Sequence, residues 1–117
     1  MTVRRIVANF SAADPAVARA FYENVLGLDV AMDLGWIVTF AAEASAKPQL
    51  SIAAEGGSGT SVPDISVEVD DVDEVHRRAI AGGYEVSYGP VDEPWGVRRF
   101  YVRDPVGRLL NILAHRS

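Results

Sequence analysis

The 117-residue sequence predicts an α+β fold of two tandem βαβββ modules, a curved mixed sheet around a concave pocket with the helices on the outside. Three observations predict it. A helix-like run opens at Asp14 and ends near Gly27, and another opens at Asp71 and ends at Gly82-Gly83. A strand-like stretch carrying Trp and Phe follows each run, Trp36 to Phe40 and Trp95 to Phe100, and each half closes on an alternating apolar segment, Gln49 to Ala53 and Leu109 to Leu113. A half of about 55 to 60 residues covers only one sheet face with one helix, so two halves are expected to share one core and enclose a space. The expected organisation is one domain over 1–117, with module one at 1–55, a connector at 56–61 and module two at 62–117.

Each element has a local cause. Arg5 to Phe10 reads as the first strand. Asp14 supplies an N-cap, Pro15 the first helical position, and Val17, Phe21 and Val25 recur at near-helical spacing up to the stop at Gly27. Strands are expected at Asp29 to Met32, Gly35 to Ala41 and Gln49 to Ala54. Glu55 to Ser61 has the Gly and Ser content of a flexible connector. In the second half a strand from Asp64 to Val69 leads to a helix whose Asp71 and Glu74 are spaced like a capping box, with Val72, Val75, Ala79 and Ile80 as its apolar stripe. Val86 to Tyr88, Val97 to Arg103 and Arg108 to Ala114 complete the strands, the last two joined at Asp104-Pro105-Val106-Gly107.

If Arg103 and Arg108 flank that turn, Val102 lies opposite Leu109, Phe100 opposite Asn111 and Arg98 opposite Leu113, while Tyr101, Leu110 and Ile112 face the helix. The same phase puts Trp36, Val38 and Phe40 with Ser51 and Ala53 on the concave side.

Composition narrows the function classes. A 49% hydrophobic, 23% charged chain is ordinary globular protein. Its net charge of −5 opposes a nucleic-acid-binding surface. Without Cys there are no disulfides, thiolate nucleophiles or Cys metal sites, which suits a reducing cytoplasm. No apolar stretch approaches the roughly 20 residues of a membrane helix. A cytoplasmic protein is expected, with neither nucleic acid nor membrane as partner.

Phe21-Tyr22-Glu23-Asn24-Val25-Leu26-Gly27-Leu28, Val67-Glu68-Val69-Asp70-Asp71-Val72, Pro94-Trp95-Gly96 and Arg103-Asp104-Pro105-Val106-Gly107, in this order, resemble the glyoxalase/bleomycin-resistance/extradiol-dioxygenase superfamily, the vicinal oxygen chelate fold. The resemblance covers nearly the whole chain. It implies that enzymes of this kind hold a divalent metal through four strand positions, usually His, Glu or Gln, which here fall on Val7, Ser51, Asp64 and Asn111. One carboxylate stands where several strong ligands are expected. Of the two histidines, His76 reads as a solvated helix residue near Asp73, and His115 either reaches the pocket rim or frays with the tail.

The resemblance therefore points to the metal-free, bleomycin-resistance-like type: sequestration of a small, partly aromatic or cationic molecule by a homodimer, with no metal and no cofactor. The candidate ligand-binding residues are Trp36, Phe40, Ser51, Asp64, Trp95, Arg98, Phe100 and Asn111, with Asn9 and Ser66 in the polar minority. Trp36 and Trp95 either stack on a ligand or fill core. Asp64 either meets a cationic group, serves as the candidate catalytic base, or pairs with Arg98; Arg98 either grips a ligand carboxylate or rests on the rim against Trp95. The alternative function is a glyoxalase-like lyase, isomerase or dioxygenase acting on a small molecule.

Overall fold

The computed structural model describes residues 1–42 and 49–116. Among the described residues eight strands occur in chain order: β1 (Val3–Ser11), β2 (Asp29–Asp33), β3 (Ile37–Ala41), β4 (Gln49–Ala53), β5 (Ile65–Val69), β6 (Val86–Asp92), β7 (Val97–Arg103) and β8 (Leu109–His115). The α-helix α1 (Val72–Ala81) precedes β6. The class is α+β with mixed strand pairing, and the chain divides into two compact units, Val7–Val62 and Met1–Ile6 with Pro63–Ser117. β1 therefore begins in one unit and ends in the other.

In the unit Val7–Val62, the strands run β2-β3-β4-β1, with β1 parallel to β4 and the other pairs antiparallel. The helical run expected from Asp14 to Gly27 is present but changes its winding. Asp14 caps it by accepting from the Ala16 N–H at 3.1 Å, Pro15–Ala18 wind tightly as a 3-10 turn, and Phe21–Val25 open into a π turn. Gly27, at φ 67, closes it, with the Leu28 N–H reaching back to the Tyr22 carbonyl at 3.0 Å. Tyr22 packs on Phe40 with ring centroids 5.1 Å apart.

The β3–β4 register differs from the expected phase. Val38 lies opposite Ile52 and Phe40 opposite Leu50, and these four pack with Tyr22, Leu28 and Val30 as the unit's core. Thr39 lies opposite Ser51 on the other face. Hydrophobic burial fixes this register, because a one-residue slip would turn Phe40 out and Thr39 in. Burying a Phe side chain contributes about 1.5–3 kcal/mol.

The stretch expected to be a flexible connector is a closed loop. Gly56 and Thr60 bond through their backbones at 2.8 Å, and the Glu55 carboxylate accepts from the Gly59 N–H at 2.9 Å. Side chains and backbone satisfy its polar groups locally, which removes the freedom that its composition suggests.

In the second unit the order is β5-β8-β7-β6, with the opening residues of β1 beside β5. The Thr2 N–H donates to the Asp70 carboxylate at 2.8 Å, and Arg5 pairs with Glu68 at 2.9 Å. Asp71 caps α1 by accepting from the Glu74 N–H at 3.1 Å. Val72 and Ala79 are buried with Val69, Phe100 and Ile112, and Val75 packs against them. Ile80 is exposed rather than part of the stripe. His76 is half-buried rather than solvated, its ring edge on Phe100 at 5.2 Å, because residues 72, 75, 76 and 79 follow the narrow track that α1 lays on the sheet.

The β7–β8 pairing is also shifted by one residue from the expected one: Phe100 lies opposite Ile112, Tyr101 opposite Asn111, Arg99 opposite Leu113 and Arg98 opposite Ala114. The cause is the turn. Asp104 pairs with Arg108 through its N–H at 3.0 Å, and the Gly107 N–H returns to the Asp104 carbonyl at 3.0 Å with Gly107 at φ 86. This is a three-residue hairpin loop ending in a glycine bulge, where a four-residue turn flanked by Arg103 and Arg108 was expected. The Asp104 carboxylate holds the loop, accepting from the Val106 and Arg108 N–H groups at 2.9 Å each. The odd loop reverses which side of β7 faces α1, while Leu110 and Ile112 of β8 face it as expected.

Candidate functional site

The corrected register settles what each face carries. Phe100 and Phe40 have no exposed surface and belong to the cores against α1 and against the helical run respectively. Arg98 lies on the α1 side, donating to Asp73 at 2.9 Å and to Asp92 at 3.2 Å. It ties the helix to β6 through Asp73 and Asp92. The guanidinium hydrogen bond from Arg98 holds the Asp73 carboxyl below its ordinary pKa of 3.8, with the charges of Arg98 and His76 adding to it. Arg98 is raised in return, first by Asp73 and then by Asp92.

The opposite face of the second unit carries Ser66 and Glu68 from β5, Asn111, Leu113 and His115 from β8, and Arg99 and Tyr101 from β7. Arg99 is its electrostatic centre. At 2% exposure it pairs with Glu93, itself 5% exposed, at 2.7 Å, and donates to the Tyr101 hydroxyl at 3.0 Å. The Tyr88 hydroxyl donates to the same Glu93 carboxylate at 2.9 Å. Three aromatic rings surround the guanidinium, with centroids 4.9 Å (Tyr101), 5.0 Å (Trp95) and 5.4 Å (Tyr88) away. Trp95 thus stacks on an internal cation.

Two backbone devices build this cluster. Glu93-Pro94-Trp95-Gly96-Val97 is a second three-residue hairpin loop of the kind at Asp104, with Glu93 N–H to Val97 carbonyl at 2.7 Å and Gly96 at φ 93. On β6, Tyr88 faces Tyr101 while Val91 faces Arg99, so Gly89 and Pro90 together oppose Phe100 in a bulge. A side chain at Gly89 would place its Cβ 2.5 Å from the Arg99 carbonyl oxygen. Only glycine allows that approach.

Asn111 sits beside this cluster, opposite Tyr101 on β7 and Ser66 on β5. Its Nδ2 donates to the Ser66 hydroxyl at 3.1 Å. Its Oδ1 is buried and has no hydrogen-bond partner. At the start of β5, the Asp64 carboxylate accepts from the Leu109 N–H at 2.9 Å, so this side chain clamps the β5–β8 pairing. At the end of β8, His115 is ordered, Nδ1 3.1 Å from Glu68 Oε2, rather than frayed.

The other unit repeats the row. Counting back five residues from Asp14 and from Asp71 gives Asn9 and Ser66; Asn9 lies opposite Ser51, and Ser51 opposite Thr39, as Ser66 lies opposite Asn111 and Asn111 opposite Tyr101. Here the row is closed: the buried Thr39 and Ser51 hydroxyls bond to each other at 2.8 Å. Trp36, just before β3, is half-buried and accepts from the Ala54 N–H through its carbonyl at 2.8 Å.

Duplicated rows on a duplicated βαβββ plan bear on family. The profile of the Glyoxalase/Bleomycin resistance protein/Dioxygenase superfamily matches residues 6–112. The chain belongs to this superfamily. Among solved structures, one described as an NAD-dependent benzaldehyde dehydrogenase from Legionella pneumophila superposes with a TM-score of 0.77 at 20% identity, covering 96% of this chain and 100% of its own. Methylmalonyl-CoA epimerase from Mycobacterium tuberculosis gives 0.69 at 18% identity, covering 95% and 87%. A superfamily member from Vibrio splendidus 12B01 gives 0.62 at 20%, covering 97% and 99%. These likenesses show the fold. No curated protein matches the chain.

The four positions that carry metal ligands in superfamily enzymes do not suit a divalent cation here. Val7 is a buried hydrocarbon, the Ser51 hydroxyl is engaged by Thr39, the Asp64 carboxylate is engaged by the Leu109 N–H, and Asn111 offers a neutral amide. Among the described residues no group of three or more His, Cys, Asp or Glu side chains stands together as a cation site. No helix among the described residues is long and apolar enough to cross a membrane.

Proposed function

We propose that this superfamily member binds a small, partly aromatic molecule without a metal, in the manner of bleomycin-resistance-like proteins, and that Asn111 fixes the ligand's orientation. The observation that carries this reading is the Asn111 Oδ1, a buried acceptor with no partner at a position that metal-bearing relatives give to a strong ligand. Leaving such an atom unpaired costs about 1–3 kcal/mol, a cost that a bound donor removes. The aromatic rings nearby already hold Arg99, so the cation-binding use of Trp95 is supported less well than contact with a flat, neutral group.

The test is elemental analysis of the purified protein together with tryptophan fluorescence titrations of aromatic small molecules, each run with a chelator and with added Mn²⁺, Ni²⁺ or Zn²⁺. The expected outcome is substoichiometric metal and binding indifferent to the ions. Stoichiometric metal that withstands dialysis, or binding that requires an added ion, defeats the reading.

A further inference from the structure

The chemistry of the open acceptor selects among ligands more sharply than the fold does. From the polar row of β5, β8 and β7, we infer that Asn111 recognises an uncharged N–H or O–H donor, a carboxamide or hydroxyl, and discriminates against a carboxylate. This deepens the metal-independent reading and rests on it.

Three features carry the inference. One of the two Asn111 Nδ2 hydrogens is given to the Ser66 hydroxyl at 3.1 Å, and the amide oxygen is the atom of this side chain left without a partner. That oxygen is buried and unpartnered, and the residue is 8% exposed. A carboxylate oxygen placed against it would be an acceptor facing an acceptor in a dry site, which is doubly unfavourable, whereas a neutral N–H or O–H fills the gap with no charge to desolvate. The buried cation of this face, Arg99, is already committed to Glu93 at 2.7 Å and to the Tyr101 hydroxyl at 3.0 Å, so it does not call for an anionic ligand. The row in the other unit sharpens the contrast. There the equivalent position, Ser51, is satisfied by Thr39 at 2.8 Å and leaves no such opening.

The experiment uses the full chain with ¹⁵N-labelled side chains and four ring-matched probes, benzamide, benzyl alcohol, benzoate and benzamidine, with the Asn111 carboxamide resonances as the readout in the wild-type protein and tryptophan fluorescence as the readout in the Asn111 variants. Benzamide and benzyl alcohol are expected to shift these resonances saturably, each at least about tenfold tighter than benzoate. Asn111→Asp, which keeps the shape and adds a negative charge, is expected to reverse the order in favour of benzamidine. Ser66→Ala/Asn111→Leu removes both members of the pair and guards against a folding artefact. It is expected to abolish the discrimination while holding or raising Tm.

Benzoate shifting Asn111 as strongly as benzamide overturns the inference. So does a double variant that keeps the discrimination, a fall in its Tm of about 5 °C or more, or no probe shifting Asn111 at all. Repeating the titrations with Zn²⁺ separates the two readings. Binding that appears only with the ion defeats metal independence, while the benzamide-to-benzoate ratio still decides the donor preference.

Discussion

The buried Arg99–Glu93 pair offers the sharpest test of the second unit's architecture. Both side chains are 3% exposed and 2.7 Å apart, so neither charge has solvent to fall back on when the other is removed. Breaking a buried pair from one side costs about 3–5 kcal/mol, because an uncompensated charge stays behind. Arg99→Met removes the cation that three aromatic rings enclose and leaves Glu93 with the Tyr88 hydroxyl at 2.9 Å, so it belongs at the upper end, about 5 kcal/mol. Glu93→Gln keeps the shape and an acceptor oxygen for Arg99, so about 3 kcal/mol is expected. For a chain of this size those losses lower Tm by roughly 10–20 °C. The double variant Arg99→Met/Glu93→Leu replaces charge with hydrocarbon of similar volume and is expected to lose less than either single change. Urea denaturation of the wild-type protein, these three variants and Glu93→Leu alone, followed by tryptophan fluorescence, closes the cycle. Single changes costing under about 1 kcal/mol, or a double variant whose loss equals their sum, would refute the reasoning.

Two further predictions concern backbone and pH. Gly89→Ala is expected to cost about 3 kcal/mol, combining a left-handed φ of 76 with a Cβ 2.5 Å from the Arg99 carbonyl; Gly35→Ala, at φ 85 with nothing within 4 Å, is the control and should cost only the strain of its φ, measured as a smaller fall in Tm. Because the native Asp73 pKa is lowered by Arg98, its contribution to stability is full above the ordinary value of 3.8 and is lost as pH falls through the lowered value. The Tm gap between the wild-type protein and Asp73→Asn should therefore hold steady from neutral pH to about pH 4 and close below it. A gap that widens with acid contradicts the assignment.

Element order was legible because its signals are local: Asp14 and Asp71 as caps, Gly27 as a stop, and the repeat of their order. Face assignment was not, because it depends on the parity of a loop. Glu93-Pro94-Trp95-Gly96 and Asp104-Pro105-Val106-Gly107 share an acidic residue, proline and glycine at the same spacing, and both form three-residue loops with glycine at positive φ. Reading one of them as a four-residue turn moved Phe100 and Arg98 to the site face and Tyr101 to the helix face. The signal that could have prevented it was the match between the two turns. Arg99 and Glu93 escaped notice for a further reason: a charged residue is buried only with its partners, and those partners come from β6, β7 and the loop between them, an arrangement that no sequence period announces.

The closed hydroxyl pair at Thr39 and Ser51 has a consequence for stoichiometry. The two units carry equivalent rows, yet the hydroxyls of one satisfy each other while the Asn111 Oδ1 of the other has no partner. On the proposed function, capture through Asn111 would take one guest molecule per polypeptide, with the Thr39–Ser51 row serving as scaffold.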